Sequence, residues 1–220
     1  MATKSVLYDR DIREPLFEFL EDTFGKARIL EEKRAGRARV DVLMITDSAL
    51  YGIEIKSDAD TYVRLENQVK FYDLFFDKNV VVAGSSHAAH IEEHIPEHWG
   101  IITVEPMEDG GADFYMLREP KSNPNMRPDI KITLLWRREL NNILDKNGLP
   151  GYRYKSKAFV QEKLLEKIPE EELWPQVHEE LFERDYTTIA QEINEYREAH
   201  GQKKRRRKRY KRLKKSDVKV

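Results

Sequence analysis

Asp41, Glu54 and Lys56 stand among apolar residues in the stretch "RVDVLMITDSALYGIEIK" (39–56). With Asp47-Ser48 at the centre of a two-residue turn, the flanking strands pair 46 with 49, 45 with 50, and so on to 41 with 54. Asp41 then faces Glu54 on one side of the sheet, with Cβ atoms ~5 Å apart, where like charges repel. A divalent cation offsets that repulsion. Hard ions such as Mg²⁺ take carboxylate and water ligands, and the Ile55 carbonyl can complete the shell. Lys56 lies two residues beyond Glu54 and so shares its face. An ammonium there positions a water or stabilises charge on a phosphate oxygen. Val40, Val42, Ile53 and Ile55 alternate to the opposite, apolar face. The competing reading is an exposed Glu54–Lys56 pair on an edge strand, with Asp41 in a loop. A one-residue bulge would destroy the register.

The elements that must position these residues follow from periodicity. Residues 9–24 carry Leu16, Phe17, Leu20 and Phe24 at helical spacing, closed by Gly25. Strands are expected at 27–32, 39–46 and 49–56. A helix follows from about Thr61 to Phe76, with Asp60 as its N-cap, and then strands at 79–84, 99–105 and 112–119. A helix crossing between strands predicts a mixed sheet covered on both faces. Beyond a polar Pro/Asn linker at 121–128 the pattern is helical. The expected division is a domain over 1–120, a helical region over 121–200 and a basic tail over 201–220.

Asp41 and Glu54-Ile55-Lys56, on adjacent strands after a first helix and before a crossover helix, resemble the PD-(D/E)XK nuclease superfamily. Gln68-x-x-x-Tyr72 resembles the Gln-x-x-x-Tyr motif of its RecB-type members. More closely, "GIEIKSDADTYVRLENQVKFYDLFFD", "VVVAG", "IPEHWGI" and "LLWRREL" are similar to a family of small, largely uncharacterised bacterial and phage proteins assigned to that superfamily, over roughly residues 9–185. The resemblance implies an α/β fold with a restriction-endonuclease-like core, α-β-β-β-α-β. It implies that Asp41 and Glu54 bind Mg²⁺ or Mn²⁺, that Lys56 assists the hydrolytic water and that Gln68 orients the site. Val40 stands where the motif's name has proline; the literal Pro128-Asp129 is a decoy, with no strand-borne E-x-K after it. An upstream acid often joins such sites. Glu31 and Glu32 on the first strand and Glu18 on the first helix are candidates, with Glu32 favoured.

Charge is divided along the chain. Residues 201–220 hold 12 Lys or Arg and one Asp; the chain's remaining 27 basic and 39 acidic residues leave a body of net charge −12. An acidic body with a basic arm suits nucleic acid. Lys203, Lys204, Arg205, Arg206, Arg207, Lys208 and Arg209 would bind polyanions with steep salt dependence, and that tail is expected to be disordered when free. A localisation signal is the rival reading. Arg37 and Arg39, with Lys33 and Arg34, flank the site and can hold phosphates, as can Arg64, one turn before Gln68, and Lys70. His87, His90 and His94 fall at i, i+3 and i+7, a spacing zinc accepts, although a solvated helix face is the plainer reading. Thr188 with Gln191 fits a capping box.

The chain has no cysteine, which excludes disulfides and thiolate metal sites and fits a reducing cytoplasm. No apolar run nears the ~18 residues of a membrane span, and the N-terminus lacks the apolar core of a secretory signal. The leading expectation is a Mg²⁺-dependent deoxyribonuclease. The alternatives are a catalytically silent nucleic-acid-binding module on the same fold, or a phage accessory protein acting through protein contacts.

Overall fold

The computed structural model describes residues 7–35, 38–58, 60–88, 90–108, 111–185, 195 and 199. Contacts divide the chain into Met1–Glu183 and Arg184–Val220, and every element below lies in the first unit. The expected tail contacts, Arg37 and the Thr188–Gln191 capping box lie outside the described residues.

Six strands form one mixed sheet in sequential order: β1 (Arg28–Ala35), β2 (Ala38–Ile45), β3 (Leu50–Lys56), β4 (Lys78–Gly84), β5 (Gly100–Pro106) and β6 (Ala112–Arg118). The β1–β2, β2–β3 and β5–β6 pairs are antiparallel, and β3–β4 and β4–β5 are parallel. A parallel pair needs a crossover. Between β3 and β4 it is a 3₁₀ turn, Tyr62–Arg64, followed by α2, Leu65–Phe75.

Helices cover both faces. The first is α1 (Asp9–Phe24), which Gly25 closes at φ +72°, a conformation glycine adopts without a Cβ clash. Its residues Ile12, Leu16 and Leu20 pack on Val42, Met44, Ile53, Ile55, Val80 and Val82. On the other face Leu65, Val69, Tyr72 and Phe76 meet Leu43, Ile45, Leu50, Val81 and Ala83. α4 (Pro128–Lys131) with the 3₁₀ turn Ile132–Leu134 after it, α5 (Arg137–Lys146), α6 (Lys157–Lys167) and α7 (Glu170–Glu183) extend that second cluster through Ile132, Leu140, Leu164 and Val177.

Two sequence expectations change here. The 121–128 stretch is fastened rather than slack. Asn123 is buried, and its amide donates to the Asp73 and Phe76 carbonyls at 2.9 and 2.7 Å, satisfying acceptors the end of α2 leaves open. Asp60 does not cap the next helix. Its Oδ2 instead accepts the Ser57 N–H and hydroxyl at 2.9 and 2.7 Å, and Thr61 occupies the capping position.

A buried ionic group ties the later helices to the sheet. Lys131 is fully buried and donates to both Asp77 oxygens at 2.6 and 2.8 Å, beside His178 Nε2 at 3.0 Å. Asp77 also accepts the Leu50 N–H at 2.8 Å. Lys131→Ala leaves this carboxylate buried without its cation, so it should cost about 3–5 kcal/mol in urea unfolding. Gly52 is the second pressure point. A Cβ there would lie 2.6 Å from the Tyr72 ring and closer still to Phe76. Gly52→Ala should therefore lower stability by about 1–3 kcal/mol, read as a lower urea midpoint at unchanged slope.

Candidate functional site

The β2–β3 hairpin has the register expected from its turn: Val42 pairs with Ile53, Leu43 with Gly52, Met44 with Tyr51 and Ile45 with Leu50. The Thr46 N–H donates to the Ala49 carbonyl at 3.0 Å, closing the turn. β3 is internal and buried along its length, so the edge-strand reading of its charges fails. Glu54 and Lys56 are 1% and 6% exposed.

Burial at those values obliges each charge to find partners. Lys56 Nζ donates to Glu54 Oε1 at 2.9 Å and to Gln68 Oε1 at 2.9 Å. The Gln68 amide donates back to Glu54 Oε1. Tyr72, one turn further along α2, donates its hydroxyl to Glu54 Oε2 at 2.8 Å and accepts the Asp41 N–H at 3.2 Å. Glu54, Lys56, Gln68 and Tyr72 thus form one closed hydrogen-bonded group. Gly52 lets the Tyr72 ring lie close against β3.

Asp41 sits where the sheet forks. Its Oδ2 accepts the Ile55 N–H at 3.2 Å, so a side chain takes the place of a ladder bond. The Tyr72 hydroxyl links its N–H to the Glu54 carboxylate. Across from Asp41 in the β1–β2 register stands Glu32, at φ +47°, and the ladder skips that pair. Side chains change faces there. Ile29 packs on the α1 side and Leu30 on the α2 side, yet Ala35 and Val40 both join the α2-side cluster. Val40 is therefore a correction to the expected alternation: it does not share a face with Val42, Ile53 and Ile55.

The same kink sets where the candidate upstream acids lie. Glu32 is carried outward, with its carboxylate 3.4 Å from the Arg39 guanidinium. Glu31 lies 3.8 Å from Arg13, which donates to the Asp41 carbonyl at 3.2 Å and lies 3.8 Å from Asp41 Oδ1. Glu18 is exposed on α1. Arg13 is the site neighbour that the sequence did not suggest. It is held by Asp9 one turn earlier, at 2.5 and 2.9 Å. An Asp-x-x-x-Arg pair on the first helix is the signal that was available, but such pairs are common on helix surfaces.

Arg64 is exposed where α2 begins, and Lys70 pairs with Glu66 at 2.6 Å. The histidine series does not form one helical face. It is split between α3 (Ser85–Ala88) and a 3₁₀ turn, Ile91–His94, with the Tyr62 ring stacked 4.1 Å from His94 and edge-on to His87 at 4.9 Å. His98 lies 3.0 Å from Asp73 instead. Among the described residues no three His, Cys, Asp or Glu side chains group closely enough to hold a metal. An ion here would rest on Asp41, Glu54, a backbone carbonyl and waters.

Burial marks both acids. Burial, and next the Asp41 charge, push Glu54 up to about 7, against the lowering effects of Lys56 and Tyr72. Burial raises Asp41 too, beyond what the Ile55 N–H and Arg13 recover. Burial would lower Arg13, but Asp9, then Asp41 and Glu31, hold it above its ordinary value. Tyr72 is raised well above 10 by burial and then the Glu54 and Asp41 charges, so it stays a donor.

The family assignment adds a frame for this geometry. The family model described as bacteriophage P4 protein cII matches residues 4–214. The chain belongs to the bacteriophage P4 protein cII family. Protein cII of Enterobacteria phage P4 is 22% identical over 147 residues, 66% of this chain and 55% of that protein. The chain thus spans about half the length of this curated relative. Among solved structures, a protein of unknown function from Silicibacter pomeroyi, SPO1766, overlaps 60% of the chain and 89% of its own, at 20% identity and a TM-score of 0.38. SfsA from Pyrococcus furiosus, solved in complex with Ca²⁺, overlaps 57% and 68% at 15% identity and a TM-score of 0.34. At that extent of overlap, the fold of this cII-family chain rests on its own topology.

The raised Glu54 value sets a pH dependence. Folded Glu54 holds its proton up to about pH 7, whereas the unfolded side chain releases it near its ordinary 4.5. The folded state therefore binds more protons in that window, and stability falls as pH rises through it. From pH 4 to 8, wild type should lose about 3 kcal/mol relative to Glu54→Gln in urea unfolding without added metal. A difference that stays flat with pH would contradict the burial argument.

Proposed function

We propose that this cII-family protein is a metal-dependent phosphodiesterase acting on DNA, with a restriction-endonuclease-like core of the PD-(D/E)XK type. The observation that carries the reading is that Asp41 and Glu54, on neighbouring strands, are joined through the Tyr72 hydroxyl, with Asp41 Oδ2 on the Ile55 N–H, the Lys56 ammonium 2.9 Å from Glu54 and Gln68 bridging Lys56 and Glu54. The donor chemistry fits a hard divalent cation, since Mg²⁺ is commonly held by one or two carboxylates and keeps several waters. Asp41 and Glu54 would hold it, with the Ile55 carbonyl completing the shell; burial raises both acids, and a bound cation would favour their charged forms. A bound Mg²⁺ or Mn²⁺ would supply Lewis-acid polarisation of a phosphoryl oxygen and a water of lowered pKa.

The protein's own groups do the rest. Lys56 places a fixed positive charge beside the reacting phosphate, where negative charge grows as water attacks phosphorus. Gln68 bridges the Lys56 ammonium and the Glu54 carboxylate, and Tyr72 holds the second Glu54 oxygen. Arg13 braces Asp41 from α1. The basic segment 203–215 adds sequence-independent affinity for phosphates.

A second reading has its own support. Both Glu54 oxygens already accept protein donors, so the group is complete without an ion. On that reading the chain binds nucleic acid and leaves the chemistry unused. One experiment separates the two. Purified full-length protein should cleave DNA only with Mg²⁺ or Mn²⁺, and Asp41→Ala, Glu54→Ala and Lys56→Ala should each lower the rate at least ~100-fold. The ion should also raise the melting temperature of wild type but not of Asp41→Ala. Folded protein that binds DNA, cuts no form of it and gains no stability from either ion would leave the silent module standing.

A further inference from the structure

A cavity of about 490 Å³ opens beside this site, lined by Tyr8, Asp9, Arg10, Ser57 and Asp60. It lies within the ~300–1,000 Å³ range of small-molecule pockets. Its position is tied to the site on two sides. Ser57 directly follows Lys56, and Asp9 holds the Arg13 that braces Asp41. The group described above uses neither Tyr8 nor Asp60.

The lining selects its occupant. Two carboxylates, Asp9 and Asp60, repel a phosphate. Asp9 spends both oxygens on Arg13, but Asp60 receives the Ser57 N–H and hydroxyl on Oδ2 alone, which leaves Oδ1 for a donor. Tyr8 is half-exposed, and its ring carries the Arg10 guanidinium 5.7 Å from the centroid. An aromatic face and an unfilled carboxylate oxygen, with the lining's cation, Arg10, paired to Asp11 at 3.3 Å, fit a flat heterocycle with N–H groups. Nucleobases have both features: every base has a face that stacks, and adenine, cytosine and guanine carry an exocyclic amine. In a duplex those faces and edges are occupied by the stack and the pairing partner, so only an unpaired base can enter.

We propose that the cavity is a subsite for an unpaired nucleobase next to the scissile phosphate, and that the substrate is single-stranded DNA or the single-stranded part of a larger DNA. This rests on the nucleic-acid reading above and narrows it. Tyr8 stacks on the base, and Asp60 Oδ1 accepts from its amine. The backbone passes on to Asp41, Glu54 and Lys56.

The test uses full-length protein without metal and oligonucleotides carrying 2-aminopurine, as single strand and as duplex. Tyr8→Ala should weaken single-strand binding by about 5- to 100-fold and leave duplex binding unchanged. Tyr8→Phe keeps the stacking face and should retain the affinity, which separates stacking from a folding defect. Tyr115→Ala, exposed on β6, should behave as wild type. Equal loss on both DNA forms, or no loss in Tyr8→Ala, would overturn the subsite. Wild type that shows Tyr8-dependent single-strand preference but no cleavage with Mg²⁺ would sustain the subsite and sink the hydrolytic reading alone.

Discussion

The arrangement depends on one constraint: a carboxylate on an internal strand cannot be buried without partners. Glu54 lies in the middle of a six-stranded sheet with 1% of its surface exposed. Desolvation penalises its charge, and each oxygen must be met by a donor at the cost of ordering that donor. The chain meets this with groups of fixed origin. Lys56 follows on the same strand face, while Gln68 and Tyr72 descend from the crossover helix that parallel pairing of β3 with β4 requires. Gly52 gives that helix room to approach. The connection that builds the sheet is thus also the one that completes the polar group, and neither can be altered alone.

Asp41 solves a different problem. A regular ladder would keep β2 and β3 zipped together and leave no room between them. The Asp41 carboxylate takes the Ile55 N–H, which ends the zipper without orphaning a buried donor. The left-handed Glu32 opposite lets β1 follow the change of faces. A non-glycine residue at positive φ carries strain, and such residues gather where the surrounding structure fixes them for function. Here it sits across from Asp41.

Much of this was legible in the sequence because side-chain period and turn length are local. Asp47-Ser48 between two alternating runs fixes the β2–β3 register as far as Val42–Ile53. The turn spacing of Gln68 and Tyr72 puts both on one helix face, whichever protein they occur in. What was missed depends on contacts remote in sequence or on backbone conformations without a residue signature. Nothing about glutamate announces a φ of +47°, so the expected strand alternation failed at Val40. Arg13 gains its role only because α1 packs across β2. Asn123 looks like linker material until the open carbonyls of α2 are placed beside it. His87, His90 and His94 keep helical spacing, yet the segment divides and Tyr62 packs against two of them.

Electrostatics then argue about what is missing from the group. Lys56 lies beside Glu54 and Arg13 beside Asp41, yet both acids sit above the ordinary carboxylate range, with burial as the first cause. Arg13 recovers only part of that at Asp41, because it divides its guanidinium among Asp9, Asp41 and Glu31 and lies 3.8 Å from the Asp41 oxygen. A purely structural ion pair gains nothing from such an arrangement, because buried pairs repay desolvation only when geometry is good and partners are complete. The under-compensated pair makes sense if its charge is completed from outside, by a cation or by a proton, at the moment of use. Those two completions differ in their dependence on pH, and only the cation would bring with it an affinity for phosphate oxygens.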